Sequence, residues 1–362
     1  MQTLKVELQG EKRSYPIYIG SGLLEELGEL YKRHRLSRRA ALISDENVAE
    51  LYAQKVKRAL NAGGVQTELF VLPPGEEHKD LSTVSRLYDK LIAGRFDRRT
   101  TIIALGGGVV GDIAGFAAAT YLRGLPWVQI PTTLLAQVDA SVGGKTGVNH
   151  PSGKNLIGAF HQPRLVLIDP KTLETLQQRE FYAGLGEVVK YALIQDEGLF
   201  DILTKRLNRL LSKHQRLLEE VISICCGIKA HIVAQDEREA GLRRVLNFGH
   251  TIGHALEAAT NYCVLLHGEA VIWGMVAETW LSCRKGLLPE GERRLIEGLL
   301  FKLPLKLLPK LEPQAVLNRV YHDKKVLEGR IHFTLLTGLG KPLIKGDVTE
   351  AEILEAISYI LN

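Results

Sequence analysis

The sequence predicts an α/β protein, with a mostly parallel, helix-covered sheet in its first half and a mainly α-helical second half. Three observations predict it. Short apolar runs alternate with helical patterns up to about residue 172, helical spacing takes over from Leu173, and glycine-rich or polar loops follow several of the apolar runs.

At the N-terminus Val6 and Leu8, then Tyr15, Ile17 and Ile19, alternate as two strands joined through a polar turn around Gly10. Further strands are predicted at Ala40–Ser44, Thr67–Leu72, Thr101–Leu105 and Trp127–Ile130, with helices between them at about 24–32, 47–62, 80–94 and 109–121. Such alternation folds as a parallel sheet, so residues 1–172 are expected to form a Rossmann-like domain. Beyond it Leu203, Leu207, Leu210, Leu211, Leu217, Leu218, Val221 and Ile222 keep helical spacing for five turns. Lys205, Arg206, Arg209, Lys213 and Arg216 fall largely between them, as a solvated basic face. Helical patterns at 251–260, 268–285, 290–301, 313–321 and 349–360 complete a second domain over 173–362. No low-complexity linker separates the halves, which predicts close packing and a cleft between them, where active sites are favoured.

With 362 residues, 45% hydrophobic and 24% charged, the chain has material for two globular domains. Its formal charge of +5 is spread over scattered Lys and Arg, which argues against a nucleic-acid face and favours a small anionic substrate. The N-terminus lacks the features of a signal peptide, and no run reaches about 18 apolar residues. Cys225, Cys226, Cys263 and Cys283 form no CxxC pair and no disulfide framework. A reducing cytoplasm, with no membrane association, is the expectation.

The run TTIIALGGGVVGD reads as a strand, a glycine loop and a helix start, and Gly106, Gly108 and Gly111 satisfy G-x-G-x-x-G. Glycines let the backbone approach a pyrophosphate, whose charge a helix N-terminus favours. The run departs from the usual dinucleotide fingerprint, which follows the first strand of its unit and has an acid about 20 residues on. That region reads Pro126-Trp127-Val128-Gln129, and Asp45, ending an earlier strand, suits ribose hydroxyls better. The loop 73–79 offers carboxylates and an ammonium, and Pro131-Thr132-Thr133 offers two hydroxyls. Together these loops suit a nucleotide lying across the sheet edge. The polar loop 138–155 sets Asp139, Lys145, Lys154 and Asn155 among glycines and small residues, and lysines in such surroundings suit phosphate.

The second half carries NFGHTIGHALE and LLHGEAV. His250 and His254, four apart, share one helix face, a spacing that suits two imidazoles on one divalent ion, with His267 closing in from the next segment. One histidine in an apolar stretch is ordinarily a satisfied core residue. Three within eighteen positions, each beside a glycine that leaves room for a ligand, point to a metal. Upstream, GLGEVVKYALI puts Glu187 and Lys190 three apart on an apolar helix, where a buried acid needs a partner such as a metal.

Taken together, these segments resemble the 3-dehydroquinate synthase family. The similarity runs in order from Asp45 through GGGVVGD, PTTLLAQVDASVGGKTGVNHPSGKN, GLGEVVKYALI, DERE, NFGHTIGHALE and LLHGEAV to DKKV and Leu339-Gly340-Lys341. The family is similar, more distantly, to metal-dependent alcohol and glycerol dehydrogenases. The resemblance implies an NAD- and zinc-dependent lyase (cobalt being the alternative ion) that converts 3-deoxy-D-arabino-heptulosonate 7-phosphate to 3-dehydroquinate and phosphate on the shikimate route. It implies that Glu187, His250 and His267 hold the metal, and that His254 contacts substrate instead. NAD is implied along Asp45, Asn47, Glu76, Lys79, Gly107, Gly108, Val109, Asp112, Thr132, Thr133, Asp139, Lys145, Lys154, Thr172, Leu173, Glu174 and Thr175. Substrate carboxylate and phosphate are implied at Lys145, Asn155, Lys190, Lys229, Arg243, Asn247, His254 and Lys341, with Arg123 reaching phosphate across a homodimer interface. In the implied reaction NAD oxidises a hydroxyl, phosphate is eliminated, the ketone is reduced again, and ring opening and an aldol step close the carbocycle. NAD is therefore not consumed. Ala136 and Ala140 stand where many members have serine, and the nucleotide loop reads PGEEHK, departures that remove no charged or metal-binding group.

Three other readings compete. Another sugar-phosphate cyclase is disfavoured by Lys229 and Arg243, because hexose-type substrates carry no carboxylate. A metal-dependent polyol dehydrogenase does not need the phosphate lysines Lys145 and Lys154, and a non-catalytic NAD-binding scaffold does not need Glu187, His250, His267 and Lys190.

Overall fold

The structure, a computed structural model, describes residues 1–8, 13–322, 326–327 and 330–362. Gly10, expected in a turn, and Asp323, Lys324 and Lys325 of the DKKV segment lie outside the described residues. The chain divides into two units. The first comprises Met1–Leu176 with Gln215–Arg238, the second Gln177–His214 with Glu239–Asn362.

In the first unit the predicted strands appear as β1 (Gln2–Val6), β2 (Tyr15–Ile19), β3 (Arg39–Asp45), β4 (Gln66–Leu72), β5 (Thr101–Gly106) and β6 (Trp127–Pro131). A hairpin of β7 (Lys145–His150) and β8 (Gly153–Phe160) follows, then β9 (Leu165–Ile168). The main sheet has the order β1-β2-β9-β6-β5-β3-β4. Only β1 is antiparallel to its neighbour; the other pairs are parallel.

The nearly continuous apolar runs of β3 and β5 follow from burial on both faces. Ala41, Ile43, Ile102 and Ala104 pack with Val84, Leu87, Ile113 and Ala117 of helices Leu81–Ala93 and Gly108–Thr120. Ala40, Leu42, Ile103 and Leu105 pack on the opposite face with Leu27, Leu30, Val56 and Leu60. After β3 the chain adds β4 on one side and then returns to place β5 on the other. Ligands of open α/β sheets bind beyond the strand ends at such a reversal. The register sets Asp45 level with Leu72, Ser44 with Leu105, and Gly106 with Pro131, so the three polar loops leave the sheet at one height.

Two segments differ from their sequence reading. The stretch 138–155, expected as a loop, ends a helical turn (Ala136–Ala140) and then builds the hairpin. Its glycines serve a close approach: a side-chain carbon on Gly158 would stand 2.3 Å from the carbonyl oxygen of Thr146. The helix expected through 203–222 breaks into Glu197–Leu211 and Gln215–Gln235. Lys213 takes a left-handed φ of 57°, and His214 N–H donates back to Arg209 O (3.1 Å), closing the first helix. Apolar spacing alone does not register that turn. Helix Gln215–Gln235, read from sequence with the helical half, packs instead on β1 and on the 136–140 turn of the first unit.

The second unit is built around helix His267–Arg284, buried along most of its length, as its all-round apolar sequence requires. Helices Gln178–Gln195, His250–Ala259, Glu290–Leu300 and Glu350–Leu361 pack on it. Two of these contacts are backbone on backbone. A side-chain carbon on Gly268 would lie 1.7 Å from Ala183 O, and one on Gly274 1.9 Å from Gly249 O.

Neither carbonyl can move without displacing its helix, so G268A is expected to cost about 3 kcal/mol or more. In contrast G298A, in a helix with nothing within 4 Å of the new carbon, should gain about 0.5–1 kcal/mol. Denaturant unfolding of both variants checks the pair; equal stabilities would contradict the packing account.

Candidate functional site

Glu187 lies in the middle of helix Gln178–Gln195, and His250 and His267 open helices His250–Ala259 and His267–Arg284. The three converge. Glu187 Oε1 stands 3.3 Å from Nε2 of His250 and 3.3 Å from Nε2 of His267. Ligand atoms about 2.0–2.1 Å from one tetrahedral ion lie roughly 3.3 Å apart, so these two edges have the length a metal needs. Glu187 is 1% exposed and pairs through Oε2 with the Lys190 ammonium, one turn on. Burial alone would raise the carboxyl's pKa, but Lys190, His250 and His267 hold it well below the ordinary value.

The two imidazoles are oriented from behind. His250 Nδ1 lies 3.0 Å from Phe248 O, and His267 Nδ1 lies 3.1 Å from a carboxylate oxygen of Glu257. Both ring nitrogens that remain therefore face Glu187. Burial lowers His250 to about 4 against the pull of Glu187, leaving a neutral ring suited to a cation. Burial opposes charge on His267 too, but Glu257 and Glu187 outweigh it and raise the value to about 10. His254 stands beside them, its ring 5.4 Å from that of His250 and 5.7 Å from that of His267. Nitrogens of the three histidines come within 4.8 Å of one another, so they too form a group able to hold a metal ion.

Sequence reasoning took the glycines beside the histidines as room for a ligand. The structure fills that room with helix backbone: a side-chain carbon on Gly253 would lie 3.0 Å from Ala270 O, and the Gly249 and Gly268 positions are equally occupied. Three buried acids escaped the sequence reading. Glu257 backs His267. Glu278 accepts from Gly249 N–H (2.6 Å) at the start of the His250 helix. Glu269 accepts from Leu266 N–H and holds Arg179 by two bonds (2.8 and 2.7 Å), fixing the start of the His267 helix. Their signal in the sequence was an acid in an otherwise apolar helical stretch. Elsewhere in this unit Arg243 is buried, Asn247 donates to Glu239 (3.0 Å), and Lys341 is exposed on a turn whose Gly340 N–H bonds Leu193 O.

At the sheet edge of the first unit the sequence-flagged groups form a second constellation. Lys79, 4% exposed, donates to Asp112 (2.5 Å) and to Asn155 (2.6 Å), with Glu76 at 3.9 Å. Burial pulls its pKa down, but Asp112 and Glu76 more than compensate and keep it above the ordinary lysine value. Asn149, which sequence reasoning passed over, ties the set together, donating to Glu76 (2.8 Å) and accepting from Asn155 N–H (2.9 Å). Helix Gly108–Thr120 begins at Gly107 with no side-chain cap, leaving its first N–H groups for an anion. A side-chain carbon on Gly107 would crowd Thr133 at 3.0 Å. This open cradle fits a pyrophosphate.

Several other flagged groups carry structural bonds. Asp45 caps a helix through Val48 N–H (3.0 Å), with Asn47 exposed beside it, and Thr133 caps Ala136 N–H (3.2 Å). Thr132 is buried, and Asp139 receives Lys229 Nζ at 2.7 Å on its carbonyl and 2.9 Å on its carboxylate. Buried Gln137, unmarked in the sequence, donates to Pro131 O, Asp169 O and the Thr172 hydroxyl. Thr175 meets the Tyr52 hydroxyl (2.6 Å), Leu173 is buried and Glu174 accepts from Gln215. Lys145 is exposed, and Lys154 and Val109 are half-buried. Arg123 is exposed on a turn in which it and Leu122 both hold left-handed φ, 67° and 49°.

Family models described as 3-dehydroquinate synthase N-terminal and 3-dehydroquinate synthase C-terminal match residues 69–183 and 184–326. The 3-dehydroquinate synthase of Desulforamulus reducens is 48% identical over 360 residues, 99% of this chain and 100% of that one. Among solved structures, 2-deoxy-scyllo-inosose synthase complexed with carbaglucose-6-phosphate, NAD+ and Co2+ superposes with a TM-score of 0.88 at 30% identity, covering 99% and 100% of the two chains. The 2-epi-5-epi-valiolone synthase of Streptomyces hygroscopicus, with NAD+ and Zn2+ bound, gives 0.87 at 33% identity over 96% of each chain. The chain described here belongs to the 3-dehydroquinate synthase family.

Proposed function

We propose that the protein converts 3-deoxy-D-arabino-heptulosonate 7-phosphate to 3-dehydroquinate and inorganic phosphate, using NAD and a divalent ion. Membership of the 3-dehydroquinate synthase family over nearly the whole chain is the observation that carries this reading. When bound, NAD supplies a reversible hydride acceptor and the ion a Lewis acid for neighbouring substrate hydroxyls.

The residues divide the remaining work. Glu187, His250 and His267 would hold the ion, a role supported by their 3.3 Å spacing and by the neutral His250 ring. His254, its ring 5.4 Å from that of His250, would be the group for a substrate hydroxyl. Lys190 keeps a buried ammonium against Glu187, and Arg243 and Lys229 are buried cations of the kind a carboxylate requires. Lys145, Asn155, Asn247 and Lys341 would complete the contacts to phosphate and hydroxyls. NAD would take the uncapped helix start at Gly107–Gly108, with Asp45, Thr132 and Thr133 at the neighbouring strand ends and the Lys79–Asp112–Glu76 network beside them. Such fixed charges hold the substrate dianion without reorganising as charge moves. A homodimer, with Arg123 supplied to the neighbouring subunit, and a cytoplasmic location belong to the same reading; the exposed Arg123 and the unbridged state of all four cysteines support them.

Protein loaded with NAD and Zn2+ or Co2+ should release phosphate from the heptulosonate phosphate with no lasting rise in absorbance at about 340 nm. No phosphate release would overturn the assignment, and steady NADH accumulation would indicate a dehydrogenase. H250A and H267A should lose bound metal and activity together, whereas H254A should keep its metal and lose kcat/KM. Metal analysis decides this, since loss of metal from H254A would restore the ligand set that helical spacing alone proposes. K79M, which strands Asp112, should weaken NAD binding by at least about tenfold in calorimetric titration while leaving metal content at the parent level.

A further inference from the structure

Glu257 lies on the same helix as His250 and His254, is 2% exposed, and is not among the ligand, substrate and NAD contacts assigned above. Its carboxylate oxygen Oε2 is 3.1 Å from Nδ1 of His267. Ionised carboxylates only accept, so without an ion both ring nitrogens carry protons, Nδ1 toward Glu257 and Nε2 toward Glu187 Oε1, 3.3 Å away; a bound ion would replace the Nε2 proton and leave Nδ1–H on Glu257. The two histidines are thereby held differently. His250 is fixed by a neutral backbone carbonyl, Phe248 O, while His267 is fixed by a charge.

We infer that Glu257 is a positioning residue for the metal centre, holding His267 in the Nδ1–H tautomer with Nε2 aimed at the ion and raising its donor strength. The inference rests on the reading of Glu187, His250 and His267 as ligands. Three features give it force. Glu257 sits seven residues beyond His250, so one rigid helix carries both a ligand and the acid that orients the other ligand. The His267 side chain is 31% exposed, so little packing fixes its ring and an oriented bond has more to do than at His250, 11% exposed. Finally, a buried carboxylate is costly to desolvate, and pairing with an imidazole that carries part of the metal's positive charge offsets that cost.

The test uses full-length protein stripped of metal and titrated with Co2+ against a chromophoric chelator. E257L, which removes the acceptor, should weaken Co2+ binding by about 10–100-fold and shift the visible absorption of the bound ion. E257Q keeps an acceptor without the charge and should recover most of that loss. At saturating Co2+ both variants should regain most of the parent kcat, as a group acting through the metal predicts. H267A run alongside separates the two levels: if it still binds Co2+ like the parent, the ligand reading fails. If H267A loses Co2+ while E257L and E257Q bind it within about twofold of the parent, the role of Glu257 alone is overturned. Should E257L not fold, E257A takes its place in the same titration, a loss of about tenfold or more with an altered spectrum supporting the inference and parent behaviour refuting it.

Discussion

The feature on which the second unit depends is the approach of helix backbones to a distance that excludes any Cβ. Helix His267–Arg284 meets Ala183 at Gly268 and Gly249 at Gly274, with gaps of 1.7 and 1.9 Å to where a side-chain carbon would be. Each proposed ligand is a chain neighbour of such a close approach: Glu187 follows Gly186, where a side-chain carbon would lie 2.6 Å from Gly268 O, His250 follows Gly249, and His267 precedes Gly268. Side chains of ordinary length then reach a common point only because their backbones are pressed together. A larger residue at either contact would move a ligand by more than the few tenths of an ångström that a coordination sphere tolerates.

Such packing leaves the helix ends inside the protein, where their free N–H groups cannot reach water. The buried acids answer this. Glu278 accepts from the N-terminus of the His250 helix, and Glu269 does the same for the His267 helix while drawing Arg179 across two hydrogen bonds. Desolvating a carboxylate costs several kcal/mol, and unpaired N–H groups would cost a comparable amount, so each burial is tolerable only because the other exists. The sheet unit solves a related problem in the opposite way. Its helix at Gly108 is left uncapped, and the charge nearby is concentrated in Lys79, Asp112 and Glu76, which satisfy one another.

Much of this was legible in the sequence, for reasons that also explain what was not. Apolar runs of β3, β5 and β6 stand out because strands buried on both faces tolerate little else, and the register of the sheet aligned the loops that pattern reading had singled out. The β7–β8 hairpin did not stand out, because its strands are glycine-rich and polar and its pairing depends on close approach instead of side-chain packing. The short β9 was passed over for its brevity, and the helix break at Lys213 for a single backbone angle. Glu187 was visible as a buried acid with a lysine three residues on. Its partnership with histidines more than sixty residues later is a tertiary fact that reached the sequence reading only through family resemblance.

The histidine group shows most clearly why proximity is a weaker guide than orientation. Helical spacing correctly brings His250 and His254 side by side, with rings 5.4 Å apart, and His267 lies no farther away. By distance the three are nearly equivalent. His250 and His267 both turn Nε2 toward Glu187, and that is set on the far side of each ring, by Phe248 O for His250 and by Glu257 for His267. In the proposed donor set, orientation thus comes from groups outside it: a carbonyl just before one helix and a carboxylate near the end of it. Neither belongs to a pattern of histidines, so no count of spacings among the ligands themselves could have found them.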